Sequence, residues 1–168
     1  CIQIVCNFLG YLSSSALLCI INYMTQEILV RALIIRDRKI LVCQTVGKDY
    51  FFLPGGHVEF GESMQDALHR ELIEELNARV IASSYIGSVE NIFEQNEVKK
   101  HELSFVFHVD IDLRDVVSKE EHISFYWLTF EEFIDAKVMP PAMKDAIIEW
   151  TAEKETFFIE EKSSGNSN

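Results

Sequence analysis

The chain has 168 residues, 48% hydrophobic and 25% charged, with a formal net charge of −12. That length suits a single domain with a real core. The acidic balance excludes a broad nucleic-acid-binding surface, though not a single nucleotide whose phosphates a bound cation neutralises, and no internal repeat, collagen-like or coiled-coil period is present.

Residues 1–26 carry no charge; the first charged residue is Glu27. The stretch is apolar enough to suggest a membrane span or a signal segment. It fits neither well, because it lacks basic flanks and contains Gln3, Asn7, Ser13, Ser14, Ser15 and Asn22. The favoured expectation is that residues 1–23 stand outside the working domain, with Met24 as its natural start and the domain running over 24–160. A membrane anchor and an ordered extra element are the two other readings, so association with a membrane is expected only if residues 1–23 are retained. Three of the four cysteines, Cys1, Cys6 and Cys19, lie in this leader. That is no disulfide framework, and it points to a reducing cytoplasm. Cys43 sits in an apolar stretch and reads as a small buried hydrophobe.

Glu27 to Ile35 is β-like and Lys39 to Gln44 is a second strand, with the polar turn Arg36-Asp37-Arg38 making a hairpin. Tyr50 to Leu53 reads as a short strand. Pro54-Gly55-Gly56 through Gly61 is a turn with close backbone approach. Ser63 is a good N-cap for the helix that follows, with Asp66 three residues on, and Asn77 suits a left-handed stop. Val80 to Val89 is expected as a strand and Asn91 to Lys100 as a polar loop. His101 to Asp112 alternates with Leu103, Phe105, Phe107, Val109 and Ile111 on one face. A second acidic loop, 112–121, precedes a strand over His122–Leu128. Phe130 to Ala136 is a short helix, and Pro140-Pro141 opens a last helix with Met143, Ile147 and Trp150 as its buried stripe. Residues 161–168 read as a disordered tail. Strands on both sides of a central helix argue an α+β domain in α/β/α layers.

The helix over Ser63–Asn77 carries the chemistry. On a helical wheel with Leu68 at the origin, Met64, Leu72 and Leu76 span about −40° to +80°. Glu71, Glu74 and Glu75 fall at about −60°, −120° and −20°. The three carboxylates share one flank, and Glu75 overlaps the apolar arc. A solvated acidic face explains the first fact but not the second, since a carboxylate near a core needs a positive partner. Arg70 is expected to serve one of the three, not all. Clustered carboxylates with backbone oxygens suit a hard cation, Mg²⁺ or Mn²⁺, and no Cys/His pairing suggests zinc.

Gly56, five residues, Glu62, seven residues, then Arg70-Glu71-Leu72-Ile73-Glu74-Glu75 resembles the box that marks the Nudix hydrolase (MutT-like) family. The box covers Gly56–Ala78, about a seventh of the chain, with every charged position matched. Asn77 replaces the family's glycine, and Ala78 is a small version of the apolar residue after it. The resemblance implies the Nudix-type α/β/α sandwich with a central mixed β-sheet. It implies metal-dependent hydrolysis of a nucleoside diphosphate linked to another group, with Mg²⁺ or Mn²⁺ as cofactor and water attacking a phosphorus. It further implies Glu71, Glu74, Glu75 and the Gly55 carbonyl as metal ligands, with Arg70, Glu71 and Glu74 catalytic. Glu62 is either an outer partner of the metal-bound groups or a charge favourable to the helix dipole. The base is assigned to Glu120, with Glu121 its neighbour in the same loop and a solvated charge the plain alternative. Further candidates are His57 at a phosphate, Glu102 near the metals, and Phe51, Phe52 and Phe93 stacking a base. The partner expected is a small nucleotide rather than nucleic acid, and a homodimer follows the habit of many relatives. The proline mark of ADP-ribose enzymes is missing beyond the box, where Phe93, Glu94 and Gln95 stand. This favours small nucleoside triphosphates or a broad specificity. A silent nucleotide-sensing module is the alternative from another class; such modules usually lose box carboxylates, and here none is lost.

Overall fold

The computed structural model describes residues 24–95, 98–112, 118 and 122–162. Among them, seven strands and three helices follow in order: β1 (Met24–Leu33), β2 (Ile35–Arg36), β3 (Lys39–Thr45), α1 (Met64–Leu76), β4 (Arg79–Gln95), β5 (Val98–Asp112), β6 (Ile123–Thr129), α2 (Phe130–Asp135), α3 (Pro141–Glu153) and β7 (Phe157–Lys162).

The main sheet has the order β1-β5-β4-β7. Its outer pairs, β1 with β5 and β4 with β7, are parallel, and the inner pair is antiparallel. A smaller antiparallel sheet, β2-β3-β6, includes the expected hairpin. Strands covered on both faces read as apolar runs, and successive side chains alternate between faces. β1 and β3 obey that rule. Val30, Ala32 and Leu41 enter one core beside Ala67, Leu68, Leu72 and Leu76 of α1. Leu33, Ile40 and Val42 enter another beside Phe133 of α2 and Met143, Ile147 and Trp150 of α3. Helices therefore cover both sides of a mixed sheet, the expected α+β sandwich. Among the described residues no helix is long and apolar enough to cross a membrane.

Three expectations need correction. The stretch 91–100 is not a polar loop: β4 continues to Gln95 and β5 starts at Val98, with Asn91 paired to Glu102 and Phe93 to Lys100. A two-stranded arm satisfies its backbone by pairing whether or not its side chains are buried, so polarity misled the reading. Polar groups pair along the arm, as His101 Nε2 does with Glu90 Oε1 at 2.7 Å. Tyr50–Leu53 is no strand of its own; Phe52 bridges to Cys43 and Phe51 to Val138. The last strand, β7, went unseen, and it carries Glu161 and Lys162 out of the expected tail into parallel pairing with Asn91 and Ile92. Its pairing partner lies some seventy residues away, beyond any local signal. Residues 1–23 and 163–168 lie outside the described residues.

Candidate active site

The Gly-rich loop is fastened along the outer edge of β1. Ala32 N–H donates to Pro54 O, Val30 N–H to Gly56 O, and Val58 N–H to Ile28 O, each at 2.9 Å. Gly55 has φ +121°, and a Cβ there would lie 2.2 Å from Val30 O, so the position admits only glycine. A Cβ on Gly56 would lie 2.5 Å from Glu71 Oε1. The loop backbone and the Glu71 carboxylate are thus in direct apposition.

α1 is fixed at both ends as its sequence dictates. Ser63 Oγ accepts from Asp66 N–H at 3.1 Å and donates to Asp66 Oδ2 at 2.6 Å. Asn77 takes the left-handed conformation, φ 55° and ψ 27°. Its N–H donates to Ile73 O at 3.0 Å.

Arg70 is the hub. Nε and Nη2 grip Glu62 in a fork, at 3.0 and 2.9 Å. Nη1 donates to Glu71 Oε1 at 2.8 Å and to Glu74 Oε2 at 3.1 Å. Nη2 also donates to His57 O at 2.9 Å. The expectation that Arg70 serves one of Glu71, Glu74 and Glu75, not all, falls one short: it holds two of them, Glu71 and Glu74, and Glu62 besides, because a planar guanidinium spreads five N–H groups. Glu75 is the one it does not hold. As the wheel indicated, Glu75 is buried, at 4% exposure. Its Oε2 accepts the Gly55 N–H at 3.1 Å, tying helix to loop.

Arg31 escaped the sequence reading. Its Nη1 donates to Gly55 O at 2.8 Å and to Leu53 O at 3.3 Å, and its guanidinium lies 5.8 Å from the centroid of the Phe52 ring. A lone charge inside the apolar run of β1 was the available signal. His57 is exposed, with Nε2 3.2 Å from Glu27 Oε2, while Lys100 also pairs with Glu27. Lys100 is the main cause holding the Glu27 carboxyl below its ordinary range. Glu102 is half-buried, and burial pushes its carboxyl up while Arg31 opposes the shift. Phe51, Phe52 and Phe93 are half-buried. Glu120 and Glu121 lie outside the described residues.

The donors fit a hard divalent cation by their chemistry: carboxylate and carbonyl oxygens only. Arg70 takes one oxygen each from Glu71 and Glu74, leaving the other, and the Gly55 carbonyl has a second lone pair beside the one facing Arg31. Among the described residues no three His, Cys, Asp or Glu side chains form a finished metal shell. Arg70 occupies the space between its three partners instead.

The fork on Glu62 has a consequence for acid stability. The Arg70 hydrogen bonds are the main cause holding the Glu62 carboxyl below the ordinary carboxylate value. A depressed folded pKa contributes stability fully present above the unfolded value of about 4.3, and lost as pH falls through the folded one. Glu62→Gln should therefore lower the melting temperature at pH 7 and draw toward the wild type as pH falls from about 4.3 through the depressed folded value. A constant gap between the two melting curves from pH 7 to pH 3 would remove this ion pair from the account.

A Gly-rich loop on a sheet edge, an acidic helix and an arginine hub thus meet at one site. The family model described as NUDIX domain matches residues 26–151. The chain belongs to the Nudix family. It is 30% identical over 115 residues to the CTP pyrophosphohydrolase of Escherichia coli K12, covering 66% of this chain and 82% of that protein. It is 30% identical over 92 residues to the ADP-ribose pyrophosphatase of Methanocaldococcus jannaschii, covering 53% of each. The chain spans about half the length of two of the curated relatives it matches, 49% and 53%. In fold it is similar to a MutT protein from Bacillus halodurans, with a TM-score of 0.71 at 16% identity, covering 82% of this chain and 90% of that one.

Proposed function

We propose that the domain is a metal-dependent nucleotide pyrophosphohydrolase, cleaving a nucleoside diphosphate linked to a further group with water attacking one phosphorus. The observation that carries this reading is the Arg70 hub, which gathers Glu62, Glu71 and Glu74 against a loop that Glu75 ties down from inside. Glu71, Glu74, Glu75 and the Gly55 carbonyl would hold Mg²⁺ or Mn²⁺. When bound, such a cation neutralises phosphate charge and acidifies water. The protein's own part is positioning. Arg70 fixes the carboxylate rotamers, and Glu62 fixes Arg70 through a two-point grip. Arg31 fixes the Gly55 carbonyl, and the Gly55 amide fixes Glu75. Glu120 remains the candidate for receiving the proton of the attacking water.

Small nucleoside triphosphates lead as substrates. The missing proline mark supports them, and so does the relative named for CTP, of which the chain covers the larger share. The test is release of phosphate or pyrophosphate by the full chain with Mg²⁺ or Mn²⁺. The panel holds ordinary and oxidised nucleoside triphosphates, ADP-ribose, dinucleoside polyphosphates, nucleotide sugars and NADH. Cleavage of one class that stops with a chelator and returns with metal is the expected result. Nucleotide binding with no cleavage of any member would replace this reading by a sensing module.

A further inference from the structure

The main sheet carries a polar row on the face turned away from α1. Glu27 of β1 is in register with Glu102 of β5, and Glu102 with Asn91 of β4. Residues paired in register point to the same face. By the same alternation Leu33, Val106 and Val89 share that face, and all three join the core under α3. At this boundary Asn91 is only 9% exposed, and its Oδ1 is buried without a hydrogen-bond partner among the described residues. Buried amide oxygens are nearly always paired, so an orphan here points to a missing donor. Glu102 faces it from the next strand, with Arg31, Glu27, Lys100 and His57 as its charged neighbours. Arg31 in turn bonds the Gly55 carbonyl of the box loop. The orphan and its carboxylate neighbour therefore sit one arginine away from the phosphate chemistry.

We propose that Asn91 and Glu102 read the nucleobase and select one bearing an exocyclic amino group. This rests on the reading of the box as a nucleotide site. An amino group has two N–H donors: one satisfies Asn91 Oδ1 and the other the Glu102 carboxylate. An oxo group at the same place would set its lone pairs against two acceptors. Phe93, two residues beyond Asn91 and so on the same face, is half-buried and offers a ring for the base to stack on. Glu102 is half-buried and Asn91 Oδ1 is buried, so both acceptors are shielded from water, and a mismatched polar contact costs more there.

The test compares bases that exchange amino for oxo, the neighbouring ring nitrogen changing from acceptor to N–H donor with it: CTP with UTP, and ATP with ITP. The wild type should favour the amino member of each pair by about ten- to a hundredfold in kcat/KM. Asn91→Leu should collapse both ratios to within about threefold, and Glu102→Gln should lower them. Asn91→Asp keeps an acceptor and should keep the order of preference, which guards against a variant that merely fails to fold. Binding of CMP and UMP by calorimetry, without turnover, reads the pair independently. Cleavage of all four triphosphates at equal efficiency overturns the base-reading pair and leaves the hydrolase standing. No cleavage, with CMP bound over UMP through Asn91, does the reverse. Equal or no binding of the two monophosphates overturns the pair.

Discussion

Glu74→Gln is expected to lower kcat by about a thousandfold or more while the domain stays folded. The Glu74 side chain is 54% exposed and bonds Arg70 at 3.1 Å, one helical turn away. An exposed i,i+4 pair of this kind contributes only about 0.3–0.5 kcal/mol. The sequence suggests that removing one of three clustered charges should relieve repulsion and slightly stabilise the apo protein. The structure revises that, because Arg70 already lies among Glu62, Glu71 and Glu74. Stability should then shift by no more than about 0.5 kcal/mol in either direction. Steady-state turnover with Mg²⁺ and a melting curve on the same sample check both halves. Normal melting with retained turnover would sink the metal-site assignment.

Gly55→Ala should be the most damaging single methyl in the site. It would force a side chain into φ +121° and press Cβ to 2.2 Å from Val30 O, which is backbone and cannot swing aside. Strained backbone and overpacking each cost about 1–3 kcal/mol, so the sum is roughly 2–6 kcal/mol. Activity should fall with it, because the Gly55 amide holds Glu75 and its carbonyl accepts from Arg31. Gly61→Ala is the control: φ is +87° there, but nothing lies within 4 Å of the new methyl. The midpoint of urea unfolding should drop clearly further for Gly55→Ala than for Gly61→Ala. Equal midpoints would mean that the loop does not press on β1 as described.

What the sequence made legible follows from range. The caps of α1, the burial of Glu75 and the apolar face of β5 depend on neighbours a few residues away, and period and position disclosed them. Arg70 was half legible. Its spacing marked it as a partner of α1 carboxylates, but Glu62, which takes two of its bonds, joins only when the loop folds back onto the helix. Arg31 stood out only as a charge in an apolar run, because its role depends on the loop pairing with the edge of β1. Asn91 fell to a different error. Polarity suggested a loop over 91–100, and only strand pairing brings Asn91 beside Glu102, which was already a candidate. β7 needed a partner strand distant in sequence. In each missed case the deciding contact was non-local.

The hydrogen bonds between the loop and β1 have one further consequence. An outer strand with open amides and carbonyls is a template on which other chains can add. Here the Gly-rich loop itself closes that template, through Pro54, Gly56 and Val58. Loss of the site's shape and loss of colloidal safety are therefore one event. A copy whose loop lifts away would lose the Gly55 contacts to Arg31 and Glu75 and, in the same motion, bare the edge of β1.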